Sequence, residues 1–135
     1  MKRKQTILVV DDEAMILRVF ERLLSKEGYT VLTASNGKEA LELVRKKSLE
    51  LVILDLKLPD MSGIDILRRI KRPRENPEVI VITGYGTMKT ARAAMRLGAY
   101  DYITKPFDDN YVRSLVKDAL SPASGGLILS KKIDG

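Results

Sequence analysis

Short, mainly apolar runs alternate with segments of helical period along most of the chain. Each run is four to six residues long, which is typical of strands that are buried on both faces of a sheet. In the segments between them, apolar residues recur at spacings of three and four, as on one face of a helix. The predicted strands are residues 7–10, 29–34, 51–54, 79–82 and 100–103. This alternation predicts an α/β fold with a parallel sheet covered by helices on both faces.

Residues typical of helix ends flank the predicted helices. They are Asn36 with Glu39 three positions later (which resembles a capping box), the candidate N-cap Ser62, and the candidate stop residues Gly28 and Gly98. The last helix is predicted at about residues 110–120. Beyond it the composition changes to a Ser-Pro-Ala-Ser-Gly-Gly stretch. With 135 residues in total, we expect one domain at residues 1–120 and a flexible tail, or the start of a linker, at residues 121–135.

Composition excludes several classes of chemistry. The chain contains 0 Cys and 0 His, which excludes disulfide scaffolds, thiol nucleophiles, His-based zinc sites and serine-type triads. The remaining chemical groups are carboxylates, hydroxyls, amines and backbone atoms, and such a set favours a hard cation as the metal. No apolar run approaches the roughly 18 residues of a membrane span and no signal peptide opens the chain, so we expect a cytoplasmic protein without membrane contact.

The formal net charge of +6 does not by itself indicate nucleic-acid binding. Most of the excess lies at the two ends of the chain, in residues 2–4 and 131–134, and the remainder is near neutral. No interleaved aromatic residues or recognition motif accompany the charge. We therefore expect no direct nucleic-acid binding by this chain.

Polar residues follow the predicted strands at the point where each one ends. They are Asp11 and Asp12 after the first strand, Asp55 after the third, Thr83 after the fourth and Lys105 shortly after the fifth. Each of these alone has an alternative reading as a turn or cap residue. Because the carboxyl ends of parallel strands meet at one edge of a sheet, we expect the whole set to converge on one site.

Three clustered carboxylates with one ammonium group leave an excess of about two negative charges. This excess must be neutralised, because like charges about 4 Å apart repel by roughly 4 kcal/mol. Mg²⁺ matches that deficit because it prefers oxygen ligands and commonly binds carboxylates together with a phosphate oxygen. Asp55 ends the presumed central strand and is the best candidate for a carboxylate that attacks phosphorus. Because the chain has 0 His, the phosphoryl donor must be a partner's phosphohistidine or a small acyl phosphate.

The combination of motifs resembles the two-component response-regulator receiver domain, the CheY-like family, over about residues 5–120. The motifs are residues 9–13 (VVDDE), 55–63 (DLKLPDMSG), 83–86 (TGYG) and 102–107 (YITKPF). The resemblance implies a doubly wound, flavodoxin-like five-stranded sheet of order 2-1-3-4-5, for which the family's best-known member is a standard example. It also implies a cis peptide bond between Lys105 and Pro106.

The resemblance further implies a role for each site residue. Asp55 would be the phosphoacceptor, and Mg²⁺ would be bound by Asp12, Asp55 and the backbone carbonyl of Lys57, with Asp11 acting largely through a coordinated water. Thr83 and Lys105 would contact the phosphoryl oxygens. The chain would be a phosphoacceptor that promotes its own phosphorylation and dephosphorylation rather than an enzyme, with a sensor histidine kinase or a phosphotransfer protein as its partner.

The family switch moves Thr83 toward the phosphoryl group, and Tyr102 then rotates inward. The surface expected to change comprises the helix after Thr83, the strand of Tyr102 and the last helix. Charged residues on it are Lys89, Arg92, Arg96, Asp101, Asp109 and Arg113. Opposite charges of this kind can pair across a two-fold homodimer, and a solvated face of mixed charge is the alternative.

Other readings remain open at this point. A flavodoxin-like protein that binds a small molecule would share the architecture, but its first loop would be rich in Gly, Ser or Thr, whereas here it reads Asp-Asp-Glu-Ala. A degenerate receiver used only for binding conflicts with the intact acidic set. The segments 83–90 and 95–107 are similar to receivers fused to sigma-54-dependent activators, so both a stand-alone regulator and the receiver of a longer transcription factor are possible.

Overall fold

The computed structural model describes residues 4–71, 77–84 and 87–121, in which strands and helices alternate strictly. The strands are β1 (Thr6–Val10), β2 (Thr30–Ala34), β3 (Leu51–Asp55), β4 (Glu78–Thr83) and β5 (Asp101–Thr104). The helices are α1 (Ala14–Lys26), α2 (Gly37–Lys46), α3 (Gly63–Ile70), α4 (Met88–Arg96) and α5 (Asp109–Leu120). The predicted tail beyond residue 121, most of the terminal charge and motif positions 85 and 86 lie outside the described residues.

The five strands form one parallel sheet in the order β2-β1-β3-β4-β5, which confirms the fold class and the expected order. The order reverses at β1, which has β2 on one side and β3 on the other. At the carboxyl edge Val10 pairs with Leu54, and Thr83 pairs with Thr104. β3 has two strands on each side and is the central strand, as the sequence analysis predicts for the strand that ends in Asp55.

Successive side chains of each strand pack into two separate hydrophobic cores, because side chains alternate between the faces of a sheet. On one face Ile7, Val9 and Ile53 pack with Phe20 of α1 and with residues of α5. On the other face the alternate strand residues pack with α2, α3 and α4. Burial on both faces explains why these strands read as nearly continuous apolar runs. No helix in the described part of the chain has the length and apolar character of a membrane span.

Gly28 and Gly98 end α1 and α4 in the left-handed region, with φ of 95° and 99°. In each case the next residue donates its N–H back into the helix: Tyr29 to the Leu24 carbonyl, at 3.2 Å, and Ala99 to the Ala94 carbonyl, at 3.1 Å. This is the bond that closes a Schellman motif. For the same reason β2 begins at Thr30, one residue later than predicted, because the N–H of Tyr29 is bonded to the end of α1.

The predicted capping box before α2 is half right. The Asn36 side chain accepts a hydrogen bond from the Glu39 N–H, at 2.8 Å, as an N-cap should. The Glu39 carboxylate, however, accepts from the N–H of Ser35, at 2.7 Å, rather than from that of Asn36. The reciprocal bond of a capping box is thus displaced by one residue.

Candidate functional site

The site lies at the carboxyl edge of the sheet, where four strands end. Asp11 directly follows β1, Asp55 is the last residue of β3 and Thr83 is the last residue of β4. Lys105 follows β5 by one position, and its N–H donates to the Thr83 carbonyl, at 2.9 Å. The peptide bond between Lys105 and Pro106 is cis, as expected. The fold therefore brings together residues that are up to 94 positions apart in the sequence.

The ammonium group of Lys105 is shared by three carboxylates. Its Nζ atom lies 2.7 Å from Asp11 Oδ2, 3.1 Å from Asp55 Oδ2 and 3.1 Å from Glu13 Oε1. The Asp11 and Asp55 side chains are nearly buried, while that of Glu13 is largely exposed. The contact with Asp11 has the length of a strong charge-assisted hydrogen bond, and little water screens the charges of Asp11 and Asp55.

This arrangement shifts two pKa values. Burial raises the pKa of Asp11, and the nearby Asp55 charge adds to that effect, although the hydrogen bonds from Lys105 and from the Glu13 N–H oppose it. Burial alone would lower the pKa of Lys105, but the hydrogen bonds to Asp11, Glu13 and Asp55 outweigh it and raise that pKa above its usual value. Lys105 is therefore charged at neutral pH and compensates part of the acidic cluster.

Asp11, Asp12 and Asp55 can each offer a carboxylate oxygen such that all three oxygens lie within 4.8 Å of one another. Asp12 is exposed, whereas Asp11 and Asp55 are buried. Oxygen donors at this spacing are the ligands that a hard divalent cation takes. The three predicted carboxylate ligands therefore come together in a geometry that fits such an ion.

A cleft of about 530 Å³ opens onto this edge of the sheet. It is lined by Asp12, Glu13, Asp55, Lys57, Leu58, Pro59, Gly84 and Lys105. With Asp11 beside it, the carboxylates outnumber the two ammonium groups by two. A divalent cation would neutralise this excess, so the charge of the site fits the same ion as its donor atoms.

Asp55 is held at both carboxylate oxygens. Oδ2 faces Lys105, and Oδ1 accepts the N–H of Lys57, at 2.9 Å. Lys57 also pairs with Ser62 in a short antiparallel bridge, which folds the β3–α3 loop (residues 56–62) back on itself. The loop is closed at its base by the Gly63 N–H, which donates to the Leu56 carbonyl, at 2.9 Å. A Cβ at Gly63 would lie 2.4 Å from the Leu56 Cα, so only glycine allows this approach.

The two predicted switch residues lie in different places. Thr83 is buried, with 2% of its surface exposed, at the end of β4 beside Lys105. Tyr102 lies in β5, pairs in register with Val81 and is partly buried against the second core. It lines a separate cleft of about 460 Å³ between β5 and α5, together with Phe107 and Tyr111. Tyr102 thus lies apart from the acidic cleft.

The sequence motifs do not predict two of the contacts at and beside the site. Glu13 belongs to the first motif, but its side chain does not cap α1 and instead reaches Lys105. Asp60 belongs to the second motif, and its carboxylate accepts hydrogen bonds from the N–H groups of Gly37 and Lys38. The motif strings contained both residues, but neither contact follows from a local spacing.

Comparison with known proteins relates this chain to a family. Residues 7–117 match the response regulator receiver domain. The chain is 41% identical over 116 residues to sporulation initiation phosphotransferase F of Bacillus subtilis, covering 86% of this chain and 94% of that protein. It is 38% identical over 115 residues to the transcriptional regulatory protein ZraR of Klebsiella oxytoca, covering 85% of this chain but 26% of that protein. The chain therefore spans nearly all of one relative and about a quarter of the other.

Solved structures give the same result. A CheY-like response regulator receiver domain from Methanospirillum hungatei superposes with a TM-score of 0.84 at 31% identity, covering 87% of this chain and 94% of that one. A response regulator from Burkholderia pseudomallei, solved with a phosphorylated aspartic acid, a calcium ion and citrate, superposes with a TM-score of 0.78 at 26% identity. That comparison covers 98% of this chain and 75% of the other.

We expect Lys105→Met, which keeps the length of the side chain and removes its charge, to destabilise the metal-free protein. Leaving the buried carboxylates uncompensated should lower the free energy of unfolding by about 3 kcal/mol at pH 7, measured by urea denaturation. Because the pKa of Lys105 is raised, its contribution is complete at neutral pH and is lost only at strongly alkaline pH. On the acid side the effect should shrink as Asp11 becomes protonated, since burial raises the pKa of that carboxyl.

The matched control is Lys57→Met, which removes an exposed ammonium group from the same cleft. It should change the free energy of unfolding by less than about 1 kcal/mol. Equal effects of the two substitutions would contradict the view that Lys105 neutralises the buried carboxylates.

Proposed function

Because the chain belongs to the response regulator receiver domain family, we propose that it accepts a phosphoryl group on Asp55 from a sensor histidine kinase or a phosphotransfer protein. The observation that carries this proposal is the environment of Asp55 itself. Its side chain is nearly buried, one oxygen contacts the Lys105 ammonium and the other accepts the Lys57 N–H. This leaves a fixed carboxylate at the floor of a cleft that is open to a donor.

In the proposed reaction a carboxylate oxygen of Asp55 attacks phosphorus and forms an acyl phosphate. The bond from phosphorus to the donor breaks, and the electron pair leaves with the donor's imidazole nitrogen or with the carboxylate of a small acyl phosphate. Lys105 and Thr83 bind the phosphoryl oxygens on one side. Holding the groups in line and neutralising the phosphoryl oxygens is most of what such a transfer needs from a protein.

Mg²⁺ is the proposed cofactor, held by Asp12, Asp55, the backbone carbonyl of Lys57 and, through water, Asp11. When bound, it neutralises the excess negative charge of the carboxylates and of the arriving phosphoryl group. The oxygen donor set and the negative cleft of this chain support it. The calcium ion in the phosphorylated Burkholderia structure is consistent with a hard divalent cation in the family.

The same site would also release the phosphoryl group to water, with the Asp55 carboxylate as leaving group. We therefore class the chain as a phosphoacceptor that promotes its own phosphorylation and dephosphorylation rather than as an enzyme. A cytoplasmic location, and control of transcription through a further domain or partner, belong to the proposal. The transcriptional regulators among its relatives support the second point.

The proposed output is a switch in the face formed by α4, β5 and α5. Thr83 moves toward the phosphoryl group, and Tyr102 turns inward from the β5–α5 cleft. Phosphorylation in this scheme shifts an existing equilibrium rather than building a new fold. The charges on this face, among them Lys89, Arg92 and Asp101, suit a self-complementary two-fold dimer of the phosphorylated form. Asp109 and Arg113, which were also expected on this face, instead line a cleft between α5 and α1.

Treatment with acetyl phosphate and Mg²⁺ should add one phosphate to the protein, seen by intact mass spectrometry, and Asp55→Asn should abolish the addition. The amide keeps the size of the side chain and lacks the nucleophilic oxygen anion. Asp65→Asn, which changes an exposed carboxylate on α3, should be labelled like the wild type. If Asp55→Asn is labelled as well as the wild type, another group is the acceptor.

Asp12→Ala should weaken Mg²⁺ binding at least about tenfold, which corresponds to about 1.4 kcal/mol, and should stop labelling. The physical reason is the loss of a ligand oxygen and of one negative charge. Isothermal titration with MgCl₂ measures the affinity, and Asp65→Ala serves as the control. An unchanged titration for Asp12→Ala would refute the proposed ligand set.

Thr83→Ala should still be phosphorylated but should no longer pass the change to Tyr102. Fluorotyrosine NMR can follow Tyr102, whose signal is assigned by comparison with Tyr102→Phe. In the wild type we expect the Tyr102 signal to shift on phosphorylation. Thr104→Ala, an exposed threonine paired in register with Thr83, should preserve that shift. A Tyr102 shift that persists in Thr83→Ala would disprove the coupling.

A further inference from the structure

Asp60 lies at the tip of the β3–α3 loop and caps a helix that is distant in sequence. Its Oδ1 atom accepts the Gly37 N–H, at 2.8 Å, and its Oδ2 atom accepts the Lys38 N–H, at 2.9 Å. These are the first two N–H groups of α2, and they have no acceptor within their own helix. Both oxygens of one carboxylate therefore connect the loop to the start of α2.

Packing at the same place reinforces this connection. A Cβ at Gly37 would lie 2.3 Å from Met61 Cγ and 2.9 Å from Ile66 Cδ1. The first turn of α2 thus presses directly against the loop and against α3. Because Gly37 lies this close to Met61 of the loop, the position of the loop tip and the position of α2 depend on each other.

The rest of the loop is held at its base rather than at its tip. The Gly63 N–H donates to the Leu56 carbonyl, and Lys57 pairs with Ser62 in a short antiparallel bridge. Lys57 in turn donates its N–H to Asp55. Displacing the tip would therefore act on Lys57 through the bridge, and Lys57 is the residue that connects the loop to the Asp55 carboxylate.

We propose that Asp60 is a positioning residue that holds the β3–α3 loop against α2, so that Lys57 keeps its N–H on Asp55 and its carbonyl available to the divalent cation. The metal part of this inference rests on the proposed function. It makes α2 a structural support of the acidic site, although none of the residues of α2 lines the cleft.

The alternative is that Asp60 only stabilises α2. The negative charge suits a helix N-terminus, and the hydrogen bonds from Gly37 and Lys38 lower the pKa of Asp60. The chain offers a matched control for this alternative, because α2 has a second cap. Asn36 accepts the Glu39 N–H, at 2.8 Å, so this hydrogen bond of its side chain lies within α2 rather than between α2 and the loop. Asn36→Ala therefore removes a cap of the same helix and leaves the loop contact in place.

The experiment compares Asp60→Ala with Asn36→Ala in the full chain. Both should lower the melting temperature by roughly 3–6 °C, since each removes a helix cap. Only Asp60→Ala should accelerate amide hydrogen exchange at Lys57 and Gly63 in metal-free buffer, by about tenfold for a local opening made about 1.4 kcal/mol easier. Only Asp60→Ala should weaken Mg²⁺ binding, by a similar factor, in a titration followed by amide NMR shifts.

Asp60→Asn keeps one acceptor oxygen and should give an intermediate effect, and it replaces Asp60→Ala in the comparison if the alanine variant does not fold. Equal exchange rates at Lys57 and Gly63 in the Asp60 and Asn36 variants would overturn the inference and leave Asp60 as a cap alone. Failure of the wild type to bind Mg²⁺ would overturn the proposed function, whereas the metal-free exchange comparison would still decide the role of Asp60.

Discussion

The shared ammonium group of Lys105 is the interaction on which the site depends. Asp11 and Asp55 come from adjacent parallel strands, so the fold itself forces their like charges together at one edge of the sheet. In water such a pair of charges would be tolerable, but both side chains are nearly buried, where an uncompensated charge is costly. Lys105 compensates part of this charge, and over the whole cleft the carboxylates still exceed the ammonium groups of Lys105 and Lys57 by two, which is the charge of a divalent cation. The same excess of negative charge that makes the site costly for folding thus suits it to a divalent cation.

The sheet that produces this convergence was largely predictable. Strands buried on both faces leave a clear apolar signal, and the polar residues that follow them must lie at the same edge if the strands are parallel. The sequence alone therefore predicts that four residues lie together at one site: Asp11, Asp12, Asp55 and Lys105. The strand order could not be predicted in this way, because nothing in the apolar pattern distinguishes the possible orders. Only the family resemblance predicts it. The order observed confirms that resemblance.

The parts that escaped prediction are contacts between a loop and an element that is not its neighbour in sequence. Glu13 contacts Lys105 across 92 positions, and Asp60 caps α2 from 23 positions further along the chain. Periodicity and capping rules describe only local spacings, so they find Asn36 and Gly28 but not these two. The displaced bond of Glu39 to Ser35 shows the same limit at short range, since side-chain length and direction decide which N–H is reached.

Because all five strands run in the same direction, their carboxyl ends all lie at one edge of the sheet, where the acidic site is, and their amino ends lie at the opposite edge. At the amino edge the contacts are simple: Glu50 accepts the Thr6 N–H through its side chain, at 2.6 Å, and donates its own N–H to the Thr6 carbonyl. The exposed turn that precedes it, at Lys47 and Ser48, lies at the far end of β3 from Asp55. We therefore expect a length change or a grafted peptide at that turn to leave the acidic edge of the sheet undisturbed.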